Sequence, residues 1–199
     1  MPPDQPPAAP GLSKGDRTRQ ALLNAAIVRF ALDGYRGTSV ADVCRDAGLS
    51  TTASYPYYAN KEALFVAAVD EDAAGLMSVV AIGENLDGWG GVTQALLDHL
   101  PDHPLAARIV KGLEPDFTMR LLCLPALEEL RKTVTELIRS QQLAGTVRRD
   151  IDPAQTACGM TVIVVSFLMA SVQTGATGGF EQVTVDVESV LAAATRPPI

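Results

Sequence analysis

The chain has 199 residues, 47% of them apolar, which is enough to bury a core in one large domain or two small ones. Its formal net charge is −7, but residues 1–65 carry seven Lys/Arg against six Asp/Glu, while residues 66–199 carry nine against seventeen. The acidic total therefore does not exclude a polyanionic partner, because the phosphate-compatible charge sits near the N-terminus and the acidic remainder serves solubility. Cys44, Cys123 and Cys158 lie far apart in apolar helical patterns, with no CxxC pair. They read as small buried hydrophobes rather than a disulfide or a metal site, which fits a reducing cytoplasm. Met1 to Gly15 lacks the apolar stretch of a secretory signal. The longest apolar run, Met160 to Ala170, has eleven residues, short of the ~20 that cross a bilayer.

Met1 to Gly15 holds five prolines and little to bury, and reads as a disordered arm. Arg17 and Arg19, just beyond Lys14, are either phosphate contacts or plain solvated charges. Asp16 to Asp33 reads as a helix, with Asp16 as N-cap or first-turn acid. Leu23, Ala26, Ile27, Phe30 and Ala31 form its apolar stripe, and Gly34 ends it. Gly37 to Lys61 then reads as two short helices joined by a tight turn. Thr38 or Ser39 caps the first, and Val40, Val43, Cys44 and Ala47 share one face. Gly48 stops it, because glycine takes the left-handed C′ conformation without a Cβ penalty. Leu49 follows as an apolar plug, and Ser50 caps a second helix carrying Thr51, Thr52, Tyr55 and Tyr57. Few of those side chains serve a core, and their hydroxyls suit phosphate oxygens and base edges. This is helix-turn-helix logic, with the second helix meant for the major groove. Asn60 caps a long helix running to about Ile82, with Lys61 at its first position, where helix dipole and cation both attract a phosphate.

Residues Arg17 to Phe65 resemble the N-terminal domain of TetR-type transcriptional repressors. The resemblance is carried by RQALLNAAIVRFALDGYRGTSVADVCRDAGLS, by Tyr55, Tyr57 and Tyr58, and by NKEALF. It implies an all-α chain with a disordered arm (1–15), a three-helix helix-turn-helix DNA-binding domain (16–62) and a helical ligand-binding and dimerisation domain (63–199). It implies double-stranded DNA as partner, contacted by Thr38, Ser39, Arg45, Ser50, Thr51, Thr52, Tyr55, Tyr57 and Lys61, the lysine on the DNA backbone. Tyr58 fills the family's aromatic core position, and Tyr35 is a packing residue. The chain departs from the family at Ser54, where an apolar residue is usual, and at Pro56. A proline there lacks the N–H for Thr52 and crowds its carbonyl, costing ~3 kcal/mol in a helix interior, and it pushes Tyr55 from helical geometry. Either the second helix begins late, with Pro56 in its first turn, or it is one turn long and ends at Ser54 or Tyr55.

Glycines 83, 88, 90 and 91 mark loops around Trp89. Helices are expected over about Val92 to Leu100, Pro104 to Leu113, and Pro115 to Ala144 with a break at Pro125. His99 and His103 have Pro101 between them and no carboxylate cluster, so no metal site is expected. Leu127, Leu130, Val134, Leu137 and Ile138 form a core stripe, with Glu128, Arg131 and Lys132 on a solvated side. Asp152 and Pro153 open a helix to about Val172 that is apolar on nearly every side, and Glu181 to Ala194 adds another. They are either internal core or, paired with a second copy through residues 154–194, the interface of a C2 homodimer facing a palindromic operator. No nucleophile elbow, Gly-rich phosphate loop or paired-histidine motif is present, so neither an enzyme nor a cofactor is expected. In the family the larger domain holds a small-molecule pocket whose ligand separates the two heads. Trp89, Phe117, Met119, Leu122 and Phe167 are the lining candidates and point to an apolar effector. The combined reading is a cytoplasmic, homodimeric, ligand-released repressor. The alternative is an all-helical small-molecule-binding or interaction protein whose helix pair no longer reads DNA.

Overall fold

The structure, a computed structural model, describes residues 13–82, 88–118, 120–175 and 180–197, without the side chains of 79–82, 88–91 and 180–184. Among the described residues the chain is helical, with no strand. It divides into two compact units, Met1–Ala68 and Val69–Ile199.

Unit 1 contains α1 (Lys14–Gly37), α2 (Val40–Asp46), a 3-10 turn (Thr51–Ala53) and the start of α3 (Lys61–Ile82). Helix α1 begins before Asp16. Ser13 is its N-cap, accepting from Asp16 N–H at 3.1 Å, while the Asp16 carboxylate accepts from Ser13 N–H at 3.3 Å. Asp16 is thus the third helical residue of a capping box. Ser13 caps the helix, Lys14 and Gly15 belong to it, and the rest of the expected arm lies outside the described residues. Gly34 breaks α1 at φ 75°, ψ 173°, a region open essentially to glycine alone. Leu22, Leu23, Ala26 and Phe30 are buried. Phe30 meets Phe65 edge-on with centroids 4.9 Å apart, and Tyr35 meets Phe65 at 5.1 Å, so Tyr35 packs as expected.

Unit 2 adds α4 (Gly88–His99), α5 (Pro104–Val110), α6 (Pro115–Thr118), α7 (Pro125–Ala144), α8 (Pro153–Thr174) and α9 (Phe180–Thr195). Glycines 88, 90 and 91 lie in the first turns of α4 instead of a loop. Two buried clusters hold the unit. Leu76, Leu96, Leu100, Ala106, Ala107, Val110, Val164 and Leu168 form one, and Ile138, Val147, Ala157, Met160 and Leu191 the other. Helix α8 serves both. Its buried residues run 157, 160, 161, 164, 165, 168 and 171, a single stripe at helical spacing. Within one chain only that stripe is covered, and Cys158, Gly159, Ile163, Ser166 and Ala170 face solvent, so the alternative of α8 as wholly internal core is corrected. Cys123 is exposed as well, so only Cys44 is a buried thiol. Leu137 also leaves the expected core stripe for solvent, while Arg131 turns inward and donates to Leu122 O at 2.9 Å. At 22 residues, α8 is long and apolar enough to cross a membrane by length and composition, although the apolar run seen in the sequence is half that.

Helices α5 and α7 both open with proline and have no side-chain cap of their own. Helix α3 supplies both caps. The buried Asp72 carboxylate accepts from Leu105 N–H at 2.9 Å and Ala106 N–H at 2.8 Å, and its other oxygen lies 3.2 Å from His103 Nδ1. Asp70 accepts from Ala126 N–H at 2.8 Å. The negative carboxylates stand at positive helix ends, and each fills donors that proline-led helices leave open. Asp72→Ala orphans two buried N–H groups. It is expected to destabilise the protein by about 1–3 kcal/mol per orphaned donor, read by denaturant unfolding.

Candidate nucleic-acid interface

Helix α2 is fixed at both ends by its own sequence. Ser39 is the N-cap, accepting from Asp42 N–H at 3.1 Å, while the Asp42 carboxylate accepts from Ser39 N–H at 3.2 Å and from the Ser39 hydroxyl at 2.6 Å. At the other end Gly48, at φ 68°, donates to Arg45 O at 3.0 Å, and Leu49 N–H reaches Cys44 O at 2.8 Å. That pair of bonds is a Schellman motif, and it aims the chain into the second element. Val43 and Cys44 fill the inner face, and Arg45 is exposed with a 2.6 Å bond to Asp42.

The second element is not a full helix. A 3-10 turn spans Thr51–Ala53, and Ser54 N–H closes on Thr51 O. Tyr57 and Tyr58 N–H both then donate to Ser54 O at 3.0 Å. The helix is therefore one turn long and ends at Ser54, which places Pro56 in the turn beyond it, where its missing N–H costs nothing. Ser54 is only 1% exposed, and its hydroxyl donates to Thr51 O at 2.9 Å, so this buried polar group is satisfied. Ser50 makes no side-chain cap bond; its hydroxyl lies 3.0 Å from that of Thr52. Ser50, Thr51 and Thr52 are exposed, and Tyr55 is 67% exposed. Tyr57 is half-buried, with its hydroxyl beside Gly15, where a Cβ would stand 3.5 Å away. Tyr58 is buried as a core aromatic.

Two of the expected contact residues already have partners within the unit. Thr38 is 3% exposed, and its hydroxyl donates to Gly34 O at 2.9 Å, so its side chain is spent within the unit. Lys61 is half-buried, and the expectation that its cation points outward is corrected. Its ammonium donates to Tyr35 O at 2.9 Å and Thr38 O at 3.0 Å and stands 4.4 Å from the centroid of the Tyr35 ring. Of the expected contact residues, Ser39, Arg45, Ser50, Thr51, Thr52 and Tyr55 are exposed.

Sequence reasoning missed Arg29. It clamps Asp46 of α2 through two bonds, Nε at 2.7 Å and Nη2 at 2.9 Å, and reaches Asp33 at 3.0 Å. This fork fixes α2 against α1. The Arg29 bond holds the Asp46 carboxyl below its ordinary value. The Ser39 bond, followed by Arg45, does the same for Asp42. A basic residue seventeen positions from its acid leaves no local signal in the sequence.

In unit 2 the effector candidates are scattered along the chain. Phe117, in α6, is buried, and Arg120 lies 5.3 Å from its ring centroid. Leu122 and Phe167 are half-buried. Trp89 falls in α4 with its side chain outside the described residues, as is all of Met119. Among the described residues no group of three His, Cys, Asp or Glu side chains is placed to hold a metal ion.

A capped helix, a Schellman turn and an exposed hydroxyl-bearing turn, followed by a larger helical unit, define a helix-turn-helix regulator. Residues 22–68 match the family described as bacterial regulatory proteins, tetR family. The chain is 31% identical over 173 residues to the HTH-type transcriptional repressor AcnR of Corynebacterium diphtheriae, covering 85% of this chain and 89% of that one. It is 24% identical over 184 residues to AcnR of Corynebacterium jeikeium, with the same coverage. Solved structures share the fold. A TetR-family regulator from Pectobacterium atrosepticum aligns at TM-score 0.65 and 21% identity over 94% of this chain and 98% of that one. FadR from Bacillus subtilis, solved with stearoyl-CoA, aligns at 0.64 and 13% over 88% and 98%. This chain belongs to the TetR family of transcriptional repressors. Such regulators bind DNA and are not enzymes, as the sequence reading expected.

Asp42 and Asp46 titrate lower in the folded chain than in the unfolded one. Their stabilisation is complete above the unfolded value and is lost as pH falls through the folded value. The melting temperature of unit 1 is expected to hold steady down to about pH 3.8, the ordinary aspartate value, and to fall below it. Arg29→Met should remove the Asp46 share of that slope.

Proposed function

We propose that this repressor acts as a cytoplasmic homodimer whose two heads engage one palindromic operator, and that an apolar small molecule bound in the larger domain releases it. DNA binding is assigned to residues 16–62, and ligand binding and dimerisation to 63–199. Arg45, Ser50, Thr51, Thr52 and Tyr55 meet the duplex, with Ser39 and Tyr57 at the margin. The observation that carries the dimer is the outer side of α8. Only 39% of its most apolar stretch is buried, and the helix has no charged residue along its length. Val185, Ser189, Val190 and Ala193 of α9 are exposed too. A second copy covers such faces better than water does, and a C2 pair doubles the heads. Support for an apolar effector comes from the fold neighbour solved with stearoyl-CoA, a ligand with a long hydrocarbon chain. In thermodynamic terms the effector must bind the DNA-free arrangement better than the DNA-bound one.

Ile163→Glu puts a charge on the outer side of α8 at a site already exposed in one chain. Sedimentation should show a dimer for the wild type and a folded monomer for the variant. A wild-type monomer at micromolar concentration, with and without DNA, would sink the proposal. The duplex upstream of the protein's own gene should bind tightly, with affinity falling steeply as salt rises. An organic extract of the purified protein should yield a hydrophobic molecule that weakens this binding when added back.

One observation favours a second reading, in which the head no longer discriminates sequence: its second element is a single 3-10 turn, too short for the usual helical ladder of base contacts. Pro56→Ala separates the two readings. Equal, weak affinity of the wild type for all duplexes, with specificity appearing only in the variant, would establish the second.

A further inference from the structure

We propose that Lys61 is a positioning residue, a latch on the broken C-terminal end of α1 that fixes where α2 starts, and that it makes no phosphate contact. The proposal rests on the reading of unit 1 as a DNA-binding head. The break at Gly34 leaves carbonyls near the end of α1 without helical donors. The chain fills them from elsewhere. Gly34 O takes the Thr38 hydroxyl at 2.9 Å, and Tyr35 O and Thr38 O take the Lys61 ammonium at 2.9 and 3.0 Å. A cation at this end also meets the negative pole of α1. The Tyr35 ring lies 4.4 Å from that ammonium and 5.1 Å from the ring of Phe65. Lys61 and Phe65 are one turn apart on α3, so two side chains of one helix grip residue 35, one by charge and one by packing.

The gripped stretch sets the DNA-facing parts. Thr38 is buried, and its neighbour Ser39 opens the capping box of α2. Moving residues 35–38 moves that cap, and with it Arg45 and the recognition turn. Two of the three ammonium donors of Lys61 are already spent on carbonyls. A cation held in this way orients the head and releases few counterions when DNA binds.

The test is a salt series on the duplex upstream of the protein's own gene. Wild type, Lys61→Met and Lys61→Gln are compared at a temperature where each melting curve shows a folded head. Loss of a phosphate contact would lower the slope of log affinity against log salt by about 0.9 per head. Loss of a latch leaves the slope unchanged and lowers affinity at every salt concentration by one factor, about tenfold, the scale of a charge-assisted hydrogen bond. Lys61→Gln, with amide donors but no charge, should recover part of the affinity lost in Lys61→Met. A slope reduced by about 0.9 in either variant, or full affinity in both, overturns the latch. Should Lys61→Met show no folded head, the slope of Lys61→Gln decides alone. Wild-type protein that ignores the duplex defeats the DNA-binding reading and the latch together, whereas a binding wild type with unaffected variants defeats the latch only.

Discussion

Every helix leaves four N–H groups and four carbonyls open at its ends, and a chain built from many short helices must satisfy all that are buried. Here the partners come in two kinds. Some are local: Ser13 with Asp16, Ser39 with Asp42, the Asn60 side-chain oxygen accepting from Ala63 N–H at 2.8 Å, and the Asp152 carboxylate accepting from Gln155 N–H at 2.8 Å. Others are borrowed from a distant element: Asp72 for α5, Asp70 for α7, and Lys61 for the end of α1. Gln142 does similar work after α7, donating to both Arg148 O and Ile151 O in the turn that leads to α8.

The borrowed partners decide arrangement. Burial of Leu, Val and Ala side chains is non-directional and tolerates sliding of one helix along another. A carboxylate that must meet two particular N–H groups does not. Asp70 and Asp72, two residues apart on α3, face different sides of it and so tie α5 and α7 to the same short length of helix. In unit 1, Arg29 plays the same part between α1 and α2, its planar fork accepting one orientation of Asp46.

This division also explains what could be read from the sequence. Local caps were legible because the signal spans three or four residues, as with Ser39, Asn60, Asp152 and the stop at Gly48. The helix order, the buried Tyr58 and the packing of Tyr35 followed from periodicity and from the resemblance. The inward turn of Lys61 was not legible, because its acceptors are backbone carbonyls 26 and 23 residues away and carbonyls carry no sequence signature. Thr38 misled for a related reason: a threonine beside a cap serine looks exposed until the break at Gly34 supplies it with a buried acceptor. Pro56 left two geometries open, and hydrogen bonds to Ser54 O decided between them. The outer side of α8 was legible through composition, since apolar residues on every side call for more cover than the one stripe that a single chain buries.

That uncovered stripe bears on electrostatics. Residues 66–199 carry eight more acids than bases, so two copies repel wherever those charges meet. The side of α8 without charge is where close approach costs least. Each head, in turn, has only one more base than acid in residues 1–65, and the latch and the Arg29 fork commit two of its cations internally. A single head therefore has little electrostatic hold on DNA. Joining two heads makes the second contact intramolecular, so affinity grows by effective concentration without added positive charge. In the proposed dimer an acidic chain with a charge-poor head gains its hold on DNA by binding in pairs, and the uncharged side of α8 is the surface that this proposal offers for pairing.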